Sequence, residues 1–224
     1  MTTRLSPLFA AAVLTAGMAA LAPTHAQPAQ GDAAAGAGKV AMCIGCHGIQ
    51  GYRANFPDVY RVPMISGQSA AYIAAALKGY EKGDRKHPSM QGIAGSLSEQ
   101  DIADVAAFYA QQGQSDSSAP PAAAREPAAQ VAQLLQKGAC VSCHGANFSA
   151  PIDPSYPKIA GQHPDYLYAA MRAYRDSTHA TWGRANPIMA GMVKQFSNAE
   201  LKAMARYIGS LPGELKTVPQ SSFR

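Results

Sequence analysis

Two short clusters hold the residues able to do chemistry. Cys43, Cys46 and His47 stand in CIGCH, and Cys140, Cys143 and His144 stand in CVSCH; these are all four cysteines of the chain. Three chemistries use this spacing. A thioredoxin-like CxxC needs a strand–turn–helix setting, and no strand pattern precedes either cluster. A zinc ribbon would pair the two CxxC units, but they lie 97 residues apart and both histidines would be left without a role. Covalent attachment of c-type haem uses every residue. The two thiols add across the haem vinyl groups as thioethers, and the adjacent histidine becomes the proximal iron ligand. This reading assigns two covalently bound haem c groups, on Cys43 and Cys46 with His47, and on Cys140 and Cys143 with His144. It leaves no cysteine for a disulfide.

A duplication positions these clusters. CIGCHG matches CVSCHG at an offset of 97 residues. PMISGQSAAYIAAALKGY, residues 63–80, matches PKIAGQHPDYLYAAMRAY, residues 157–174. HPSMQGIAGSLSEQDIADVAAFY, starting at His87, matches NPIMAGMVKQFSNAELKAMARYI, starting at Asn186. The length changes fall in loops: a shorter one after the second CxxCH and a longer one, RDSTHATWGRA, after Tyr174. The chain divides into a segment 1–26, a domain 27–113, a Pro/Ala/Ser-rich linker 114–127 and a domain 128–224.

Both domains read as all-α. Tyr72, Ile73, Ala76, Leu77 and Tyr80 share one helical face, as do Leu167, Ala170, Met171 and Tyr174. Ser69 and His163-Pro164 suit the starts of those helices. Ser197 to Glu200 fits a capping box opening the last helix of the second copy, and Ser98 to Asp101 is a looser version of it in the first. Nothing reads as a hairpin. Each domain falls below roughly 100 residues, so a large apolar cofactor should complete its core.

The sixth iron ligand separates functions. Methionine there raises the potential and suits electron transfer, whereas an open position permits peroxide or oxygen chemistry. The candidates are Met64 and Met90 in the first copy, and Met171, Met189, Met192 and Met204 in the second. Met90 and Met189 align with each other. Met192 aligns with Ile93 and Met64 with Lys158, while Met171 and Met204 align with Leu77 and Val105 and read as core. Met90 and Met189, in loops just upstream of the last helix, are therefore the expected ligands. His87, His163 and His179 read as surface or turn residues. Pro63 and Pro157 open a repeated Pro-x-Ile-x-Gly-Gln segment. A backbone carbonyl there could accept the second ring N–H of His47 or His144 and fix its tautomer, or each proline could only set a turn.

Residues 1–26 read as a secretory signal: Arg4, an apolar run from Leu8 to Ala22, and a Thr24-His25-Ala26 end with cleavage after Ala26. An uncleaved anchor is the rival, but a run of about 15 residues falls short of the roughly 20 that span a bilayer. The mature protein is expected to be soluble outside the cytoplasm. Residues 27–117 hold 7 Lys and Arg against 8 Asp and Glu, whereas residues 118–224 hold 11 against 6. A basic half can mean nucleic acid, but a location outside the cytoplasm argues against that partner. The excess fits docking on an acidic protein surface, or a merely soluble basic surface.

GDAAAGAGKVAMCIGCHG, PMISGQ, PSMQGIAGSLSEQDIADVAAFYA and their second-half counterparts resemble the dihaem cytochromes called cytochrome c4. The resemblance covers nearly all of the mature chain. It implies two tandem class I cytochrome c folds with His/Met haems whose propionate edges meet. It also implies a periplasmic carrier that moves single electrons from a quinol-oxidising complex to a terminal haem-copper oxidase. Its partners would be redox proteins, with any membrane association made through them. One departure is present: Gly36, suited to close packing against the last helix, is replaced by Gln133 in the second copy. Two alternatives stay open. One is a dihaem cytochrome c peroxidase, the other the haem subunit of a flavin-containing sulfide dehydrogenase or similar complex.

Overall fold

The computed structural model describes residues 30–112 and 126–220. The expected signal segment and the linker up to residue 125 lie outside the described residues. In the first half the chain runs α1 (Ala33–Ala37), α2 (Ala41–His47), β1 (Arg53–Ala54), β2 (Tyr60–Arg61), α3 (Ala70–Glu81), β3 (Arg85–Lys86), α4 (Pro88–Ala94) and α5 (Glu99–Gln111). The second half repeats the helices in order: α6 (Ala129–Lys137), α7 (Cys140–His144), α8 (Pro164–Arg175), then β4 (Gly183–Arg184), α9 (Pro187–Val193) and α10 (Asn198–Ser210).

Local chemistry starts these helices. Ser98 accepts from the Asp101 N–H while Asp101 accepts from the Ser98 N–H, and Ser197 with Glu200 does the same. The Ser69 hydroxyl caps α3 at the Tyr72 N–H, and Pro164 opens α8 at its first turn. Met90 and Met189 stand within short helices, where loops were expected. Pro88 and Pro187 preset the backbone angle, and the side chains of His87 and Asn186 cap the first turn of each.

Each half has its own core. The first gathers Ile44, Ile73, Leu77, Ile102, Val105 and Tyr109 among others; the second gathers Leu134, Leu135, Phe196, Leu201, Met204 and Ile208. The replacement at Gln133 has a structural counterpart. A Cβ on Gly36 would lie 2.2 Å from the Asp104 carbonyl oxygen, so α1 rests on the backbone of α5. In the second half Gln133 is exposed, and α6 meets α10 with Leu134 and Leu135 buried between.

The expectation of no hairpin needs correction. β1 pairs antiparallel with β2, Arg53 opposite Arg61. β3 pairs antiparallel with β4, Arg85 opposite Arg184, and so joins the two halves. Two-residue strands are too short to leave an alternating pattern, and pairing between halves leaves no local signal. A buried polar seam accompanies the ribbon. Gln68 and Gln162 are 4% and 3% exposed. Each pairs its side-chain amide with the backbone of the opposite half, at Lys158 and Met64 respectively. Arg61 and Asp165 form an ion pair across the seam at 3.0 Å, and Arg172 pairs with Asp58.

Candidate haem sites

α2 places Cys43, Cys46 and His47 on successive helical positions three and four apart, so one face presents both thiols and the imidazole. α7 repeats this with Cys140, Cys143 and His144. The His47 Nδ1–H donates to the Pro63 carbonyl at 2.9 Å, and the His144 Nδ1–H donates to the Pro157 carbonyl at 3.0 Å. A carbonyl only accepts, so both rings carry the proton on Nδ1 and keep the Nε2 lone pair for a metal. Burial pushes both imidazoles below their ordinary pKa, opposed by the carbonyl contacts. Neutral imidazole is the ligating form. Burial likewise raises the Cys43 and Cys140 thiols, and no disulfide joins the cysteines.

A cavity of about 540 Å³ is lined from one side by Cys46, His47 and Met90 and from the other by Cys143, His144 and Met189. Met90 and Met189 are partly buried against the first and second cores. Their own backbone N–H groups take the caps, from His87 Nδ1 at 3.4 Å and Asn186 Oδ1 at 2.9 Å. This donor set, two thiols with an oriented neutral imidazole and a thioether on an apolar cavity, fits haem c in each half.

Met64, Met171 and Met204 also line the cavity, so lining alone does not single out Met90 and Met189, and these methionines differ in setting. Met204 is 2% exposed within the second core, and Met171 packs against that core. The Met64 backbone is engaged by Gln162. Met192, one turn beyond Met189, lines the cavity but is 38% exposed. Of the remaining histidines, His87 is the cap just described and His163 stands at the start of α8. His179 lies 5.0 Å from the Trp182 ring.

Sequence reasoning passed over several residues that build the site. Gln68 and Gln162 lock the seam, and Arg85 and Arg184 line the cavity. Each occupies the same place in both copies, a signal the internal alignment contained. Asp104 is different. It is 2% exposed and accepts from the Asp32 N–H at 2.8 Å and Lys39 Nζ at 2.6 Å, and no carboxylate matches it in the second copy.

Two helical units, each with a CxxCH helix and a methionine helix facing a shared cavity, define a tandem cytochrome c. The cytochrome c family model matches residues 33–112 and 128–212. The chain is similar to cytochrome c4 of Pseudomonas aeruginosa, 32% identical over 214 residues that cover 92% of this chain and 100% of that one. It is also similar to a thiosulfate dehydrogenase electron acceptor of Stutzerimonas stutzeri, 32% identical over 210 residues covering 88% and 93%. The crystal structure of reduced recombinant cytochrome c4 from Pseudomonas stutzeri superposes with a TM-score of 0.62 at 31% identity, over 81% of this chain and 99% of that chain. The chain therefore belongs to the dihaem cytochrome c4 family. It is a dihaem c-type electron carrier with two covalently attached haem c groups. No helix among the described residues is long and apolar enough to cross a membrane.

Proposed function

We propose that Cys43 and Cys46 hold one haem with His47 and Met90 as axial ligands, and that Cys140 and Cys143 hold the other with His144 and Met189. The supporting observation is the matched pair of anchors. Each histidine has its Nδ1–H committed to a proline carbonyl, and a methionine from a proline-started helix lines the same cavity. Each bound iron supplies a one-electron couple. The chain orients the imidazoles, excludes water with apolar walls and supplies a thioether that favours the reduced state. A near-infrared spectrum of the oxidised protein tests this: methionine–iron charge-transfer absorption from both haems is expected. High-spin or bis-histidine signals would sink the assignment. Met189→Ala and Met192→Ala, compared side by side, separate the two methionines of α9.

The domains are taken to span 27–113 and 128–224, in keeping with the two family matches. We place the mature protein in the periplasm after cleavage near Ala26, carrying electrons from a quinol-oxidising complex to a terminal oxidase. The basic second half would dock on an acidic redox partner. A second reading is favoured by the similarity to a thiosulfate dehydrogenase electron acceptor: the donor would be a dehydrogenase, with this chain as its acceptor. Stopped-flow reduction by each donor class distinguishes them. A peroxidase role requires one methionine to leave its iron, and peroxide turnover by the as-purified protein would reveal it.

A further inference from the structure

The residues lining the cavity include Arg53, Arg85, Lys86, Lys158 and Arg184, and no aspartate or glutamate. Arg85 and Arg184 are the unusual pair. They face each other as partners in the ribbon that joins the halves. Arg184 is 8% exposed, and the Nε of Arg85 is sealed from water with no hydrogen-bond partner. Arg61, Arg172 and Arg175 each pair with an aspartate; among the described residues neither Arg85 nor Arg184 has a carboxylate partner.

What surrounds this pair is aromatic. The Arg85 guanidinium lies 5.6 Å and 4.8 Å from the Tyr72 and Tyr80 ring centres, and Arg184 lies 5.5 Å and 5.2 Å from those of Tyr166 and Tyr174. Arg85 donates to the Tyr72 hydroxyl at 3.3 Å and Arg184 to the Tyr166 hydroxyl at 3.0 Å. Ring faces and neutral phenols orient a guanidinium but do not neutralise it. Two like charges held together away from water are costly unless anions reach them. The planar fork of arginine matches a carboxylate. The Tyr166 phenol reports the overlap of the two cations. Burial raises its pKa, yet Arg184 and then Arg85, from the opposite half, pull it below the ordinary value.

We propose that Arg85 and Arg184 form one shared receptor for the carboxylates of both porphyrins, so that each iron's potential depends on the guanidinium of the opposite half as well as its own. The receptor goes beyond the axial reading and rests on haem attachment in both halves, not on which methionines bind. It couples the two redox centres electrostatically at the seam.

The test is a redox titration of the dihaem holoprotein at about pH 8, where a free carboxylate stays ionised. The shifted haem methyl resonances of the oxidised protein follow the two irons separately. Arg184→Gln is expected to favour oxidation at both irons, with reduced-to-oxidised ratios at fixed potential falling on the order of tenfold, about 59 mV for a one-electron couple. Arg85→Gln is expected to do the same. A shift confined to the haem of the substituted half overturns the sharing, and no shift at either iron overturns the receptor. If a glutamine variant fails to retain two haems, Arg184→Lys takes its place. That variant keeps the charge but loses the fork, so a smaller shift in the same direction at both irons is expected. Unchanged potentials would overturn the proposal. Wild-type potentials that move with phosphate at constant ionic strength would mean that a free anion occupies the receptor, and that also overturns it. The near-infrared band of the same samples checks the axial ligands, so failure of that reading is distinguishable.

Discussion

Gln68 satisfies both backbone polar groups of Lys158 across the seam: its Nε2 donates to the Lys158 carbonyl at 2.9 Å, and its Oε1 accepts from the Lys158 N–H at 3.0 Å. Gln162 treats Met64 in the same way, at 2.9 and 3.1 Å. The two glutamines are repeat partners, so the seam has an approximate two-fold symmetry. Gln68→Ala leaves the part-buried N–H and C=O of Lys158 without these partners, at up to about 1–3 kcal/mol each. The expected result is loss of coupling between halves. Thermal unfolding of the holoprotein should split into two transitions. One unchanged cooperative transition would count against the seam as the coupling element.

The cap on Met90 is sensitive to acid where the cap on Met189 is not. His87 accepts from the Met90 N–H only while its Nδ1 is unprotonated, and burial, with Arg184 nearby, lowers its pKa. A depressed folded pKa means the contribution is full above the unfolded value of about 6.5 and is lost as pH falls through the folded value. With Met90 as the proposed ligand, the methionine–iron band of the first haem should therefore weaken in that window. Asn186 does not titrate, so the second haem should hold its band. His87→Asn should remove the difference.

A different acid transition belongs to the base of α5. Asp101 is held down to about 2, chiefly by Lys39. Asp104 is lowered first by the Asp32 N–H and then by Lys39. Both carboxylates stabilise the first half fully above their unfolded value of about 3.9, and the contribution is lost as pH falls through their folded values. Lys39→Met should lower the melting temperature near neutral pH, with the gap to wild type closing towards pH 2. A constant gap would contradict this assignment.

Gly36→Ala inserts a methyl group 2.2 Å from the Asp104 carbonyl oxygen, which is backbone and unable to step aside alone. A loss of about 1–3 kcal/mol is expected from overpacking. At the matching place Gln133→Ala touches an exposed position and should stay within about 0.5 kcal/mol. Denaturant unfolding of the two holoproteins makes the comparison.

Docking of the basic second half on an acidic partner predicts a steep fall of the electron-transfer rate with added salt, because exposed charges beyond about 10 Å are screened at 0.1 M. Flash-induced or stopped-flow transfer measured across ionic strength decides it. A rate indifferent to salt removes electrostatic docking.

Much of the candidate site was legible in the chain. CxxCH is a local pattern whose spacing follows from helical geometry, so Cys43, Cys46 and His47 could be paired with their twins before any fold was known. The internal repeat then lifted Met90 and Met189 out of nine methionines and aligned the capping boxes at Ser98 and Ser197. These features depend on neighbours a few positions away, and short-range spacing is written directly in the order of residues. The tertiary structure alone decided what the halves do to each other. The pairing of Arg85 with Arg184, the hold of Gln68 on Lys158, and a cavity with five basic residues and no acid join positions about 90 to 100 residues apart. Such contacts arise from how two cores dock, and a two-residue strand or a lone glutamine leaves no period by which that docking could be read.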